Sequence, residues 1–309
     1  MKRAVLFLCF LFLCTACSRP PTPPQILADS VPGLKMRRHI EELTADKLEG
    51  RRGGTAGEAG AALYLAHFMQ EEGLTPQGDK GTYFQTFPIA GYEPVQVGQR
   101  MTLRSTSSAG ASTSENLLGL LPGKEDDVII VSAHYDHLGM IGGRLYPGAN
   151  DNASGVAAVM ELVNILRREQ PPNSLLFAFW GAEEMGMLGS AYFCDHPTVP
   201  IERIKCIINL DSIGNLGNDK TLLGWKAGEN EESKAVLEIL AEEGWIVDWQ
   251  DSGNHNSDHS PFGKKKISGF TLLAPQWLEK NHTPLDTARE IKWQPLEELI
   301  EALAKALRL

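Results

Sequence analysis

Residues 128–139 read VIIVSAHYDHLG, a β-branched apolar run that gives way at once to two imidazoles and a carboxylate. An unbroken run such as Val128–Val131 is the mark of a strand buried on both faces. The same change of character recurs twice, where Leu175–Trp180 leads into Glu183 and Glu184 and Ile204–Leu210 leads into Asp211. Between the first two strands lies GANDNASG (148–155), with Asp151 in the loop ahead of a helix over Gly155–Arg168. Val156, Val159, Met160, Val163 and Leu166 lie on one stripe of that helix. Repeated strand, loop and helix predict a three-layer α/β/α sandwich with a central, mostly parallel mixed sheet. Such sheets bind ligands beyond the carboxyl ends of their strands, which is where His134, Asp136, Glu183, Glu184 and Asp211 fall.

The flanking elements are less sharply written. Helices are expected over Ile40–Lys47 and Ala59–Glu72, the second with Leu63, Leu65, Phe68 and Met69 at helical spacing. Strands follow over Tyr83–Ile89 and Gln96–Ser105, and Ser105–Ser114, nearly all Ser, Thr, Ala and Gly, reads as a surface loop. Downstream come a short helix near Leu188–Cys194, a helix over Glu231–Glu243, a strand near Ile267–Leu273 and a closing helix over Leu296–Leu307.

One His or Asp at a strand end is usually structural. Several delivered together by successive strands point to a bound metal. Imidazole with carboxylate, and no thiolate in reach, suits zinc and similar borderline ions. Two Zn²⁺ are balanced by Asp151, Glu184, Asp211 and one bridging hydroxide, the neutrality that a partly desolvated site favours.

With these strings in place, the sequence resembles a known family. SAHYDHLG (132–139), GANDNASG (148–155), GAEEMGMLGS (181–190), NLDSIG (209–214), SDHSPF (257–262) and HTPLDT (282–287) are similar, in family order, to the co-catalytic dizinc aminopeptidases. That family includes the bacterial leucyl-type aminopeptidases and is related to glutamate carboxypeptidase II and glutaminyl cyclase. The resemblance covers about residues 110–290, more weakly 43–87. It implies two zinc ions per chain. His134 and Asp211 would hold one, Glu184 and His282 the other, with Asp151 bridging, and Glu183 would be the general base toward a metal-bridging hydroxide. It also implies that Asp136 orients the His134 imidazole, that Asp286 supports the site, and that the Asp151–Asn152 peptide bond is cis. Asp258, His259 and Phe262 are assigned to the substrate pocket. Trp225, Trp245 and Trp249 are open between pocket and core. His137 reads as a hydrogen-bonded loop histidine. The chain departs from the pattern at Asn281, where many relatives carry an aromatic residue, and no protease-associated insert is expected.

The implied activity is hydrolysis of the N-terminal residue of peptides with a free N-terminus. The alternatives are glutaminyl cyclase-type chemistry, a carboxypeptidase with Arg144 as carboxylate clamp, and a non-catalytic zinc-binding lipoprotein. With 39 acidic against 29 basic residues, the formal charge of −10 argues against nucleic acid as a partner.

The first residues read as an export signal. Lys2 and Arg3 precede an apolar run, and the small residues Thr15 and Ala16 precede Cys17. This predicts a signal peptide over 1–16, a lipidated Cys17, a Pro-rich tether over 17–30 and a single peptidase domain over 31–309. An ordinary cleaved secretion signal is the alternative. Cys17 followed by Ser18 places the protein on the periplasmic face of the outer membrane, held there by its lipid. Cys194 and Cys206 are open between a disulfide and two buried thiols. The anchor has a direct test: wild-type protein should sediment with membranes, and Cys17→Ser should release it. Wild type found wholly in the soluble fraction would contradict the anchor.

Overall fold

The computed structural model describes residues 33–106, 112–251 and 255–308. The signal peptide, Cys17, the tether and part of the Ser-rich loop lie outside them.

In chain order the elements begin with α1 (Leu34–Leu43), α2 (Ala56–Glu71), β1 (Thr75–Pro76), β2 (Phe84–Ile89), β3 (Tyr92–Val97), β4 (Arg100–Ser105) and β5 (Ser112–Leu121). Then come β6 (Glu125–His134), β7 (Gly139–Ile141), β8 (Arg144–Tyr146), α3 (Ser154–Leu166), β9 (Asn173–Trp180), α4 (Leu188–Asp195) and β10 (Ile204–Leu210). The chain closes with β11 (Thr221–Lys226), α5 (Glu231–Glu242), β12 (Ile246–Trp249), α6 (His259–Lys264), β13 (Ser268–Leu273) and α7 (Trp293–Ala306). The main sheet runs β1-β5-β9-β6-β10-β13-β11-β12, with β2 also on β5. Its centre, β9-β6-β10-β13, is parallel, while β5 on β9 and β11 on β13 are antiparallel. The sheet is therefore mixed, parallel where the candidate ligands emerge.

Alternation along the strands builds two cores. Ile129, Val131 and Ala133 of β6 face α1, α2, α3, α5 and α7, and Val128 and Ile130 face α4 and α6. Cys206 belongs to the first core and Cys194 to the second, so the sheet separates them and both are buried free thiols. Burial pushes both thiols up to about 12. Phe262 sits in the second core against Trp180 and Phe193 rather than on a pocket wall. Leu63, one of the four apolar residues at helical spacing in α2, points to solvent at 65% exposure. Helix α2 starts three residues earlier than its apolar spacing suggests, because Thr55 accepts the Glu58 N–H as its N-cap.

The sequence reads Ser105–Ser114 as loop, whereas Ser105 ends β4 and Ser112–Ser114 open β5. Strands β11 and β12 were not foreseen. They are short and carry little alternation, and pairing with each other and with β13 holds them.

One side chain ties the loops around the sheet's carboxyl edge. Arg51, fully buried, donates through Nε to Tyr135 O at 2.8 Å, through Nη2 to Gly148 O at 3.0 Å, and through Nη1 to Pro147 O at 2.9 Å and to Leu43 O. Burial brings its guanidinium down to about 10, against the pull of Asp136 and Asp286. Arg51→Met leaves these buried carbonyls without their donor and should cost at least about 3 kcal/mol in urea unfolding. A loss below about 1 kcal/mol would show that the loops hold without it.

Candidate metal centre

Parallel, in-register pairing puts the candidate residues on one rim. His134 at the end of β6 stands opposite Trp180, three residues before Glu183, and Leu210 of β10, opposite Leu272, is followed by Asp211. The Asp151 loop enters from the start of α3 and His282 from the segment after β13.

Asp151 lies between two imidazoles. Its Oδ1 is 3.4 Å from His134 Nε2, and its Oδ2 is 3.2 Å from His282 Nε2. His134 Nε2 is also 3.5 Å from Asp211 Oδ1, and His282 Nε2 is 3.1 Å from Glu184 Oε2. A tetrahedral zinc ion with bonds of about 2.0–2.1 Å holds neighbouring N and O ligands roughly 3.3 Å apart. The imidazole-to-carboxylate distances of both sets fit that spacing, with one carboxylate common to the two. The donor set therefore suits borderline divalent ions such as zinc, and the Asp151–Asn152 peptide bond beside it is cis.

Most of the candidate ligands are aimed by a second contact. His282 Nδ1 donates to Met101 O of β4 at 2.7 Å, which leaves Nε2 facing the centre. Asp211 accepts from Ser212 Oγ at 2.9 Å and from Ser257 Oγ at 2.7 Å. Asp286 accepts the backbone N–H groups of Asn150 and Asp151 at 2.7 and 3.0 Å. Asp136 meets His134 Nδ1 through its backbone O at 3.3 Å and also reaches the glutamate loop. Its carboxylate is 3.7 Å from His134 Nδ1 but accepts the N–H groups of Glu183 and Glu184 at 2.8 and 3.3 Å. It is a positioning residue that staples the glutamate loop to the end of β6.

Burial opposes protonation of His134 and His282, yet the surrounding carboxylates, led by Glu183 and Asp211 for His134 and by Glu184 and Asp151 for His282, hold both well above the usual imidazole range. The adjacent glutamates split. Burial, with Asp258 and Glu184 nearby, pushes Glu183 well above the carboxylate range, whereas at Glu184 burial is overcome by His282 and His137 together, which hold it at about 2. Protons on the imidazoles stand where cations would sit, and metal binding should release them.

Among the described residues, His137 joins the cluster, with Nδ1 2.8 Å from Glu184 Oε1 but not aligned as a hydrogen bond. Its ligand atom lies within 4.8 Å of those of both Asp151 and Glu184, but it does not line the cleft as His282 does. Asp258 and His259 are also absent from that lining. Asp258 accepts from Ser190, and the His259 ring lies 2.7 Å from Thr271 Oγ1. The residue of SDHSPF nearest the chemistry is Ser257, which the sequence reading passed over. Asn281 is buried between Asn150 and Ser212, each at 2.8 Å, so it does not face the cleft either. The cleft, about 630 Å³, is closed on one side by β3 and β4 and lined by Trp225 and Trp277 as well as by the metal cluster. Trp245 and Trp249 instead pack with the core. Arg144 is not in the lining, whereas Arg100 and Arg104 are.

Comparison with known proteins matches residues 116–307 to Peptidase family M28. The chain is 28% identical over 210 residues to aminopeptidase YwaD of Bacillus subtilis, covering 63% of this chain and 44% of that one. It is 28% identical over 257 residues to leupeptin-inactivating enzyme 1 of Streptomyces exfoliatus, covering 80% and 49%. The chain thus spans about half the length of these relatives. In fold it is similar to BSAP, a zinc aminopeptidase from Bacillus subtilis, with a TM-score of 0.71 at 18% identity over 88% of this chain and 93% of that one. A Porphyromonas gingivalis glutaminyl cyclase shares the fold at a TM-score of 0.63 and 16% identity, over 88% and 96%.

The support given by Asp286 is measurable. Asp286→Ala should keep the fold and weaken zinc binding about 10- to 100-fold in competition with a chelator. Unchanged affinity would show that the Asp151 loop needs no such tether.

Proposed function

The chain belongs to peptidase family M28, and from that premise we propose that it is an aminopeptidase that works through two zinc ions. The observation that carries this reading is Asp151, whose two oxygens face different imidazoles, each completed by its own further carboxylate. His134 and Asp211 would hold one ion, Glu184 and His282 the other, and Asp151 both. When bound, the ions supply Lewis-acid polarisation of the scissile carbonyl.

Glu183 lines the cleft 4.0 Å from His134 Nε2 and is the carboxylate left over from the ligand sets. At its Oε atoms it takes the proton of the attacking water and passes it to the leaving amine. The substrate's terminal ammonium gains charge-assisted hydrogen bonds from the acidic end of the cleft, which a blocked N-terminus forfeits. Each such bond is worth roughly 1.5–3 kcal/mol. The proposal includes export and the lipid anchor, which rest on the composition of residues 1–24, and peptides and a membrane as partners.

A five-residue peptide, free, N-acetylated or C-amidated, tests the reading on zinc-loaded protein. Acetylation should slow cleavage at least about 10-fold and amidation should leave it unchanged. Glu183→Gln should lower kcat about 10²- to 10⁴-fold while both metals remain. Cleavage of the acetylated but not the amidated peptide would make the protein a carboxypeptidase. Normal turnover in Glu183→Gln would place the base elsewhere.

A further inference from the structure

Away from the metal cluster the cleft changes sign. The acidic residues of its lining are Asp151, Glu183, Glu184 and Asp211, all at the metal end, and its Lys and Arg residues are Arg100 and Arg104 of β4. Cations in the centre consume most of the carboxylate charge, and the field over the rest of the cleft is then set by the arginines. Arg104 is already paired, with Nη2 3.0 Å from Glu93 Oε1 on the exposed side of the hairpin.

Arg100 has no carboxylate partner among the described residues. It is half-buried, its Nε donates to Asn281 O at 3.0 Å, and its guanidinium carbon lies 5.8 Å from the centroid of Trp277. The Nε bond fixes the side chain and leaves the Nη groups, a fork whose geometry matches a carboxylate. Trp277 packs edge-on against Trp225 with centroids 5.6 Å apart, and this apolar wall strengthens charge pairing beside it.

The position of Arg100 relative to the chemistry is also fixed. Its neighbour Met101 donates N–H to His282 O at 3.1 Å and accepts from His282 Nδ1 at 2.7 Å, and its own partner Asn281 precedes His282. Arg100 is thus joined to a metal ligand through a backbone clamp one residue long. Arg100 and the metal cluster line the same cleft of about 630 Å³, so an anion on Arg100 belongs to a substrate group close to the scissile bond.

We propose that Arg100 makes this part of the cleft a carboxylate receptor, so that preferred substrates are short peptides with a carboxylate close to the cleaved bond. The inference rests on the aminopeptidase reading and names its substrate class. Two sources share the chemistry: the side chain of an N-terminal Glu or Asp, and the C-terminus of a dipeptide.

The experiment compares matched pairs, Leu-Leu with Leu-Leu-amide and the p-nitroanilides of Glu and Gln, on zinc-loaded full-length protein. Ratios of kcat/KM are read in wild type, Arg100→Gln and Arg100→Lys. Binding ratios for the same pairs are read by calorimetry in Glu183→Gln, with and without Arg100→Gln. At least one pair should favour the carboxylate by on the order of 10- to 100-fold in wild type, and the pair that does so identifies the source. Arg100→Gln should bring that ratio within about 3-fold of unity, Arg100→Lys should keep part of it, and added salt should shrink it. Ratios near unity for both pairs in wild type, or a ratio that survives Arg100→Gln, would overturn the proposal. Absence of turnover with discrimination kept in the binding data would instead overturn the aminopeptidase reading and leave the receptor standing.

Discussion

Asp151, Glu183, Glu184 and Asp211 cannot all be ionised on one rim unless positive charge is placed among them. The separations of 3.1–3.5 Å from Asp151, Asp211 and Glu184 to the imidazole nitrogens of His134 and His282 leave no room for water between them. Like charges at such density in a poorly solvated site cost far more than a domain of this size has in reserve. Protonated imidazoles relieve part of that repulsion, and divalent cations relieve it more fully. The surrounding structure follows from that requirement.

The parallel centre of the sheet delivers three ligand segments to one edge, and each segment is then braced from a distant part of the chain. Asp136 holds the Glu183–Glu184 loop, Ser257 holds Asp211, Asp286 holds the Asp151 loop, and Met101 of β4 aims His282. Arg51 binds carbonyls from the loops on either side. The β3–β4 hairpin thereby acts twice. It orients His282 and walls the cleft beside it.

How much of this was legible in the sequence depends on the range of the interactions. The strand-end ligands could be read because each follows an apolar run of a few residues, a local signal. The contact of Asp136 with His134 is local and could be read, whereas its bonds to Glu183 and Glu184 cross 47 and 48 residues of sequence and could not. Ser257, Arg51 and Arg100 act through contacts of the same long range, and nothing near them in the chain announces it. Phe262 and His259 sit beside Ser257 in one string, and a motif does not say which of its side chains faces the cleft and which the core. The disposition of Cys194 and Cys206 likewise needed the sheet between them to be known.

The central claim is that Asp151 is shared by two ions. Titration of metal-free protein with zinc, followed by calorimetry and by metal analysis of the recovered protein, tests it most directly. The account predicts binding of about two equivalents per chain with release of protons, falling below one when Asp151 is replaced by Ala. Saturation of the wild type at a single equivalent, or two equivalents bound equally well without Asp151, would contradict it.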